Sequence, residues 1–207
     1  MSAVRRPSRS FTEHLSSRYD DPDFRAKFQK IVGGEVERVN LIVQQLLEFA
    51  KPVPPKLRPL NLAELTEETL AFLNQDLLKQ GVEVTRNYAT QAPVLADPQQ
   101  MKQVLLNLLL NSLQAINGQG WLTLATATQG TEIVLTIQDN GAGIPPEALP
   151  HIFDPFFTTK PTGTGLGLAV SRSIIQEHGG RITVDSQVGR GTNLSIYLPV
   201  AASTSAS

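Results

Sequence analysis

The sequence predicts an α+β domain, with strands paired largely in hairpins and helices on one face, preceded by a long amphipathic helix. Three observations point there. Phe28, Val32, Val36, Val39, Val43, Leu46 and Ala50 fall three or four residues apart, which makes one apolar stripe of a helix over about 24–50. Residues 121–128 and 132–139 alternate with the two-residue period of adjacent strands. Pro52, Pro54, Pro55 and Pro59 end the first helix and form a stiff connector, so the chain divides there.

Each element has a local cause. Asp21 caps the first helix, and Pro22 takes its first position, where a missing N–H costs nothing. Arg25, Lys30, Glu37, Arg38, Gln44 and Glu48 line its polar face, and the opposite stripe calls for a partner helix. Gly33-Gly34 weakens its middle by about 1 kcal/mol per glycine relative to alanine. A second helix begins at Asn61, with Glu64 at the capping-box spacing, and runs through Leu62, Leu65, Leu70, Leu73 and Leu77 to Gly81. Val82-Glu83-Val84-Thr85 reads as a strand, and Asp97 caps a third helix over about 98–116. A lid-like stretch follows over 141–162. A helix over about 165–178 then ends at Gly179-Gly180, and residues 181–185 and 193–198 close the domain as strands. The expected layout is a helical region over 1–52, a Pro-rich linker over 53–60, a folded domain over 61–200 and a flexible tail over 201–207.

The composition narrows the function classes. Of 207 residues, 41% are hydrophobic and 18% charged, the balance of a globular protein. A net charge of −1 gives no basic footprint for nucleic acid. The absence of cysteine removes disulfides, thiolate metal sites and thiol nucleophiles together, and suits a cytoplasmic location. No apolar run approaches the ~20 residues of a membrane span; the longest, 104–110, is interrupted by Asn107. The basic start MSAVRRPSRS lacks the apolar core of a signal peptide.

Four segments carry candidate chemistry. The third helix is apolar nearly all round, yet Gln103, Asn107, Asn111 and Gln114 form one polar stripe along it. Buried amides need partners; a phosphate-bound Mg²⁺ would serve, and so would a hydrogen-bond ladder to neighbouring strands. Asp139-Asn140-Gly141-Ala142-Gly143 ends an apolar strand. An ionised Asp accepts the exocyclic N–H of adenine and rejects the carbonyl of guanine, although Asp-Asn-Gly is also a common turn. Gly163-Thr164-Gly165-Leu166-Gly167-Leu168 opens a helix, so its backbone N–H groups suit a triphosphate. It lacks the Lys-Ser/Thr of a P-loop and the strand-and-acid context of a dinucleotide fold. Between them, Phe153-Asp154-Pro155-Phe156-Phe157-Thr158-Thr159-Lys160 offers three aromatic rings, readable as core. Its lysine either pairs with a terminal phosphate or stays in solvent.

In this order the Asn stripe, Asp139-x-Gly141-x-Gly143, the aromatic loop, the Gly163–Gly167 run and Gly189-Arg190-Gly191-Thr192 resemble the N, G1, F, G2 and G3 boxes of the sensor histidine kinase ATP-binding domain. That domain belongs to the GHKL superfamily, and the resemblance covers about 61–199. It implies a two-layer α/β sandwich of the GHKL, or Bergerat, type with a mixed sheet and helices on one face. It also implies ATP and Mg²⁺. Asn111 would hold the metal and Asn107 would assist near the phosphates. Asp139 would read adenine in a cradle shaped by Gly141 and Gly143, with Thr192 supporting through its hydroxyl or water. Lys160, Gly163, Thr164, Gly165, Leu166 and Gly167 would surround the phosphates. The superfamily's hydrolysing members carry a Glu where Asn107 stands, so transfer of the γ-phosphoryl to a protein acceptor is implied rather than rapid hydrolysis.

The resemblance extends to Glu35-Val36-Glu37-Arg38-Val39-Asn40 and Leu47-Glu48-Phe49-Ala50-Lys51-Pro52, which look like the second helix of a dimerisation and phosphotransfer hairpin. The family's acceptor is a His followed by an acid and, shortly after, a Pro. His14, His151 and His178 all lack that context, so the acceptor is expected before Met1. The implied partners are a response regulator receiver domain, the acceptor hairpin of an intact or second subunit, and a second copy paired through 24–50. An anti-sigma-type serine kinase and a non-enzymatic ATP-dependent binding module are the alternative readings.

Overall fold

The computed structural model describes residues 28, 32, 54–160 and 163–201. The chain divides between Lys51 and Pro52 into two units, of which the second is described below. Phe28 and Val32 are helical; the rest of the expected helix over 24–50, the hairpin and dimer surface assigned to it, His14 and all but the first residue of the expected tail lie outside the described residues.

The second unit runs β1 (Arg58–Leu60), α1 (Leu62–Gln80), β2 (Val82–Tyr88), β3 (Val94–Ala96), α2 (Pro98–Ala115), β4 (Gly120–Gln129), β5 (Glu132–Asp139), a 3₁₀ turn (Leu149–His151), α3 (Gly167–Glu177), β6 (Arg181–Gln187) and β7 (Gly191–Pro199). Five strands form a mixed sheet ordered β2-β4-β5-β7-β6. Only β2 and β4 are parallel, which requires a crossover, here made by β3 and α2; β4–β5 and β6–β7 are antiparallel neighbours in sequence. The alternation of the central strands puts Leu122, Leu124, Ile133, Leu135, Ile137, Leu194, Ile196 and Leu198 on one face. These meet Leu70, Leu73 and Leu77 of α1, Leu105, Leu108 and Leu109 of α2, and Val170, Ile174 and Ile175 of α3 in one core. The sequence-predicted two-layer architecture is the one observed.

Two short strands were not legible beforehand. β1 lies at the end of the stretch expected as a connector, and it pairs antiparallel with β3, Pro59 facing Leu95. Three-residue strands show no usable period, and Pro59 suits a ribbon edge where its missing N–H breaks no central ladder. The strand expected over 82–85 continues to Tyr88. There Glu67 of α1 accepts from Arg86 Nε at 2.9 Å and from the Tyr88 hydroxyl at 2.7 Å. Burial first, and then this carboxylate, push the Tyr88 phenol well above its ordinary range.

The caps behave as their residue types dictate. Asn61 Oδ1 accepts from the N–H of Ala63 at 3.0 Å, and the capping box closes side chain to side chain, Asn61 Nδ2 donating to Glu64 at 2.9 Å. Gly81 ends α1 at φ 67°. Thr66 and Thr69, buried in α1, donate their hydroxyls back to Leu62 O and Leu65 O. Asp97 does more than cap α2. Its Oδ1 accepts from Gln99 and Gln100, its Oδ2 accepts from Lys56 N at 2.9 Å, and its own N–H donates to His178 Nε2 at 2.9 Å. His178 is 6% exposed, and its Nδ1 lies 2.7 Å from Ile174 O. Because Nε2 accepts, Nδ1 carries the proton. One knot thus joins the segment before β1, the start of α2 and the end of α3.

The Lys56 N–H, ahead of the opposing burial and aided by Gln100 and Gln99, holds the Asp97 carboxyl below its usual value. A lowered native pKa stabilises in full above the ordinary Asp value of about 3.9 and is lost as pH falls below it. Asp97→Ala should cost about 1–2 kcal/mol at neutral pH by urea denaturation. Asp97→Asn should flatten the stability-versus-pH curve below about pH 4. An Asn variant with the wild-type acid limb would place that limb elsewhere.

Candidate functional site

The site lies where β5 ends, between the C-terminus of α2 and the N-terminus of α3. Asp139 closes β5 with its carboxylate inward and only 2% exposed. Burying a carboxylate is expensive unless it is hydrogen-bonded. Oδ1 accepts from Gly141 N at 2.9 Å and from Thr192 N at 3.2 Å, across the β5–β7 ladder where Asp139 faces Thr192. Both bonds fall on Oδ1, leaving Oδ2 as the open acceptor.

The two glycines after Asp139 are required by the protein itself. A Cβ on Gly141 would lie 2.7 Å from Ala115, the last residue of α2, and Ala142 N donates to Ala115 O at 2.9 Å. A Cβ on Gly143, whose φ is +72°, would lie 2.1 Å from Gln187 O. The loop after β5 is thus clamped between a helix end and the β6–β7 turn, whose Gly189 N donates to Ala142 O at 2.8 Å. Asn140 is structural too, its Oδ1 accepting from Trp121 N at 2.7 Å.

Asn107, Asn111 and Gln114 of the polar stripe of α2 face α3 and the lid. Asn107 Nδ2 donates to Ser171 Oγ at 2.9 Å, with Ser171 1% exposed in α3. The amide lies so close to α3 that a Cβ on Gly167 would come within 2.3 Å of Asn107 Oδ1. One turn later, Asn111 Oδ1 accepts from Lys160 Nζ at 3.2 Å, and Gln114 Oε1 accepts from the same ammonium at 2.8 Å. Burial lowers the Lys160 pKa, and the Asp139 charge acts against that shift. The two carboxamide oxygens therefore already point at a cation. Among the described residues no three His, Cys, Asp or Glu side chains converge on a metal position.

The lid is a chain of turns. Phe153 lies beneath the guanidinium of Arg172, 5.4 Å from its ring centre, and Phe157 tilts against His151 at 5.7 Å. Phe156 is 62% exposed and has φ 67°, which costs a non-glycine residue on the order of 1–3 kcal/mol. Its N–H donates to Gly165 O at 2.9 Å, and its carbonyl occupies the space a Cβ on Gly165 would need. The three rings are thus not a plain core. Gly163 N donates to Lys160 O at 3.2 Å, and Thr164 Oγ1 accepts from Leu166 N at 3.3 Å. The Leu166 side chain is wholly buried, so only its backbone can meet a ligand. α3 starts at Gly167 with no side-chain cap, leaving its first N–H groups for an anion.

Ser171 and Ser186 escaped sequence reasoning. Each has a faint signal, a hydroxyl at an inward position of an otherwise apolar pattern: Ser171 beside Val170 and Ile174, Ser186 after Ile182 and Val184.

The clamped loop supplies a comparison. Gly130 also has positive φ, at +60°, but nothing lies within 4 Å of its Cβ position. Gly130→Ala should cost about 1–2 kcal/mol of left-handed strain. Gly143→Ala adds overpacking and should cost roughly 2–5 kcal/mol by the same denaturation measurement. Equal losses would show that the loop relaxes freely away from β6.

Residues 96–202 match the family described as histidine kinase-, DNA gyrase B-, and HSP90-like ATPase. The chain is 42% identical over 176 residues to the sensor histidine kinase ZraS of Salmonella typhi, an alignment covering 84% of this chain and 38% of that protein. It is 37% identical over 194 residues to the signal transduction histidine-protein kinase AtoS of Escherichia coli strain K12, covering 93% of this chain and 32% of that one. It thus spans well under half the length of these curated relatives. The solved catalytic domain of histidine kinase ThkA superposes with a TM-score of 0.65 at 32% identity, covering 70% of this chain and 96% of that one. With the boxes of the resemblance assembled around Asp139 and the match covering that whole assembly, the chain belongs to the histidine kinase-, DNA gyrase B- and HSP90-like ATPase family.

Proposed function

We propose that this chain binds ATP with Mg²⁺ and, as the catalytic portion of a sensor histidine kinase, delivers the γ-phosphoryl group to a histidine of a phosphotransfer hairpin. The carrying observation is Asp139, a buried carboxylate whose bonds all fall on Oδ1, so that Oδ2 is offered to a donor such as the adenine amino group. Gly163, Thr164, Gly165 and Leu166, through their backbone, and the uncapped start of α3 at Gly167 would take the phosphates. The Asn111 oxygen suits Mg²⁺, a hard cation normally shared between a few protein oxygens and substrate phosphates, and it already accepts from an ammonium. Bound there, the metal would neutralise developing charge on the transferring group. Lys160 would follow the terminal phosphate as a point charge.

Asn107 argues for transfer over hydrolysis. A carboxamide takes no proton from water, and this one is tied to Ser171. Histidine kinases among the relatives favour this reading over an anti-sigma-type kinase or a passive module. Neither described histidine has the family's acceptor context. Both ring nitrogens of His178 are engaged in the core, and His151 Nδ1 is bonded to Asp154 at 2.9 Å. A receiver domain is the proposed onward partner: histidine kinase ThkA was solved in complex with response regulator protein TrrA, and this chain superposes on that structure with a TM-score of 0.80 at 28% identity, covering 94% of this chain and 57% of that one. Pairing of two copies through 24–50 and a cytoplasmic location complete the proposal; no described helix is long and apolar enough to cross a membrane.

Calorimetry should show ATP binding strengthened by Mg²⁺ and GTP binding poorly. Asp139→Asn should lose about 1.5–3 kcal/mol of ATP affinity, and equal ATP and GTP affinities in the wild type would overturn the base-reading role. Asn111→Ala should abolish the Mg²⁺ dependence of triphosphate binding while leaving the melting curve intact. A variant that unfolds with its metal dependence unchanged would make Asn111 a structural amide. With γ-labelled ATP, an added acceptor hairpin should gain acid-labile, alkali-stable label, whereas label mapping to His151 or His178 would refute the acceptor assignment.

A further inference from the structure

We infer that Ser186 is a specificity-positioning residue, which turns the Thr192 hydroxyl into a pure acceptor and so makes the base end of the pocket select a 6-amino over a 6-oxo purine. The inference deepens the adenine-reading role proposed for Asp139 and rests on it.

Ser186 sits on the inward face of β6, opposite Thr192 of β7, which in turn faces Asp139 of β5. Leu122 of β4 faces Asp139 from the other side, so the row reads Leu122, Asp139, Thr192, Ser186 across the end of the sheet. Ser186 Oγ makes three contacts of 2.9 Å. Ile144 N donates to it, it reaches Gly191 O, and it reaches Thr192 Oγ1. A serine hydroxyl has one proton and two lone pairs. The Gly191 carbonyl can only accept, so the Ser186 proton goes there. Ile144 N–H takes one lone pair. The remaining contact then has a single solution, with the Thr192 hydroxyl donating its proton to Ser186. Every valence of Ser186 is filled, and Thr192 has only lone pairs left for a ligand.

Thr192 Oγ1 and Asp139 Oδ2 are therefore two acceptors on neighbouring strands with no proton between them. An exocyclic amino group meets both with donors. A 6-oxo group meets both with lone pairs, and Thr192 can donate to it only if Ser186 gives up its bond to Gly191 or to Thr192. Asp139 alone would leave that escape open, because a free threonine hydroxyl serves either polarity. Ser186 also joins the loop after β5, through Ile144, to the start of β7.

The test compares ATP with inosine triphosphate, which carries a 6-oxo group and no 2-amino group, by calorimetry with Mg²⁺ on the full chain. Ser186→Ala frees the Thr192 hydroxyl and should lower the ATP-over-ITP preference by about 3–10-fold, the worth of one neutral hydrogen bond. Ser186→Thr keeps the hydroxyl and should retain the preference. In a Thr192→Val background, Ser186→Ala should change the preference by less than about twofold, because the group it acts through is gone. A purely structural serine would instead weaken both nucleotides alike and leave the ratio unmoved, which overturns the inference. Should Ser186→Ala not fold, Thr192→Val alone decides, and an undiminished preference in that variant is equally fatal. A wild type that does not distinguish the two nucleotides would defeat the adenine reading itself, whereas a discriminating wild type with an unchanged Ser186→Ala ratio defeats only the role of Ser186.

Discussion

The buried carboxylate of Asp139 is the constraint from which the site follows. A charge at 2% exposure must be hydrogen-bonded, and the two N–H groups that satisfy it come from opposite directions. Gly141 supplies one, which bends the chain away from the sheet directly after β5. Thr192 supplies the other, which holds β7 in register with β5 at the end of the sheet. The carboxylate thus organises the turn, the strand pairing and the acceptor left over for a ligand. An apolar side chain there would accept from neither N–H and would leave the loop after β5 without its anchor.

α2 is the wall against which everything else is placed. Its N-terminus is tied through Asp97 to His178 at the end of α3, and its C-terminus receives the Asp139 loop at Ala115. Between these ends Asn107 meets Ser171, and Asn111 and Gln114 meet the lid lysine. An apolar helix carrying one polar stripe can be buried only if its amides find partners, and for Asn107, Asn111 and Gln114 these come from α3 and the lid, well after α2 in sequence. The same helix therefore sets the spacing between the loop after β5 and the start of α3. The glycines on either side allow that spacing, since side chains at 141, 143 or 165 would press on neighbouring backbone and one at 167 would press on the Asn107 amide.

Much of this was legible in advance because it is written in local pattern. Asn61 and Asp97 cap the helices they precede, Gly81 ends α1, and the alternation of β4 and β5 appears as predicted. Asp139, the α2 amides and the glycine run were recognisable because their order is specific even though each alone is not. What escaped had at most a faint local signature. The three-residue strands β1 and β3 exist because a neighbour is there to pair with. Ser171 and Ser186 read as ordinary polar residues in amphipathic elements, and their roles come from hydroxyl partners that arrive from elsewhere in the chain.

By itself the sequence determined which segments become the long helices and the sheet strands, which face of each is apolar, and which side chains have the chemistry to meet a base, a phosphate or a hard cation. Those properties depend on spacings of two to four residues and on functional groups that every copy of a residue carries. The tertiary structure alone decided direction. It put the hydrogen bonds of Asp139 on one oxygen, turned the Asn107 amide to Ser171 and the Asn111 oxygen to Lys160, and brought the Thr192 hydroxyl against Ser186. A hydroxyl or an amide can point either way along a chain. Only the donors and acceptors that folding brings against it select one, and that selection is what makes a polar residue part of a site.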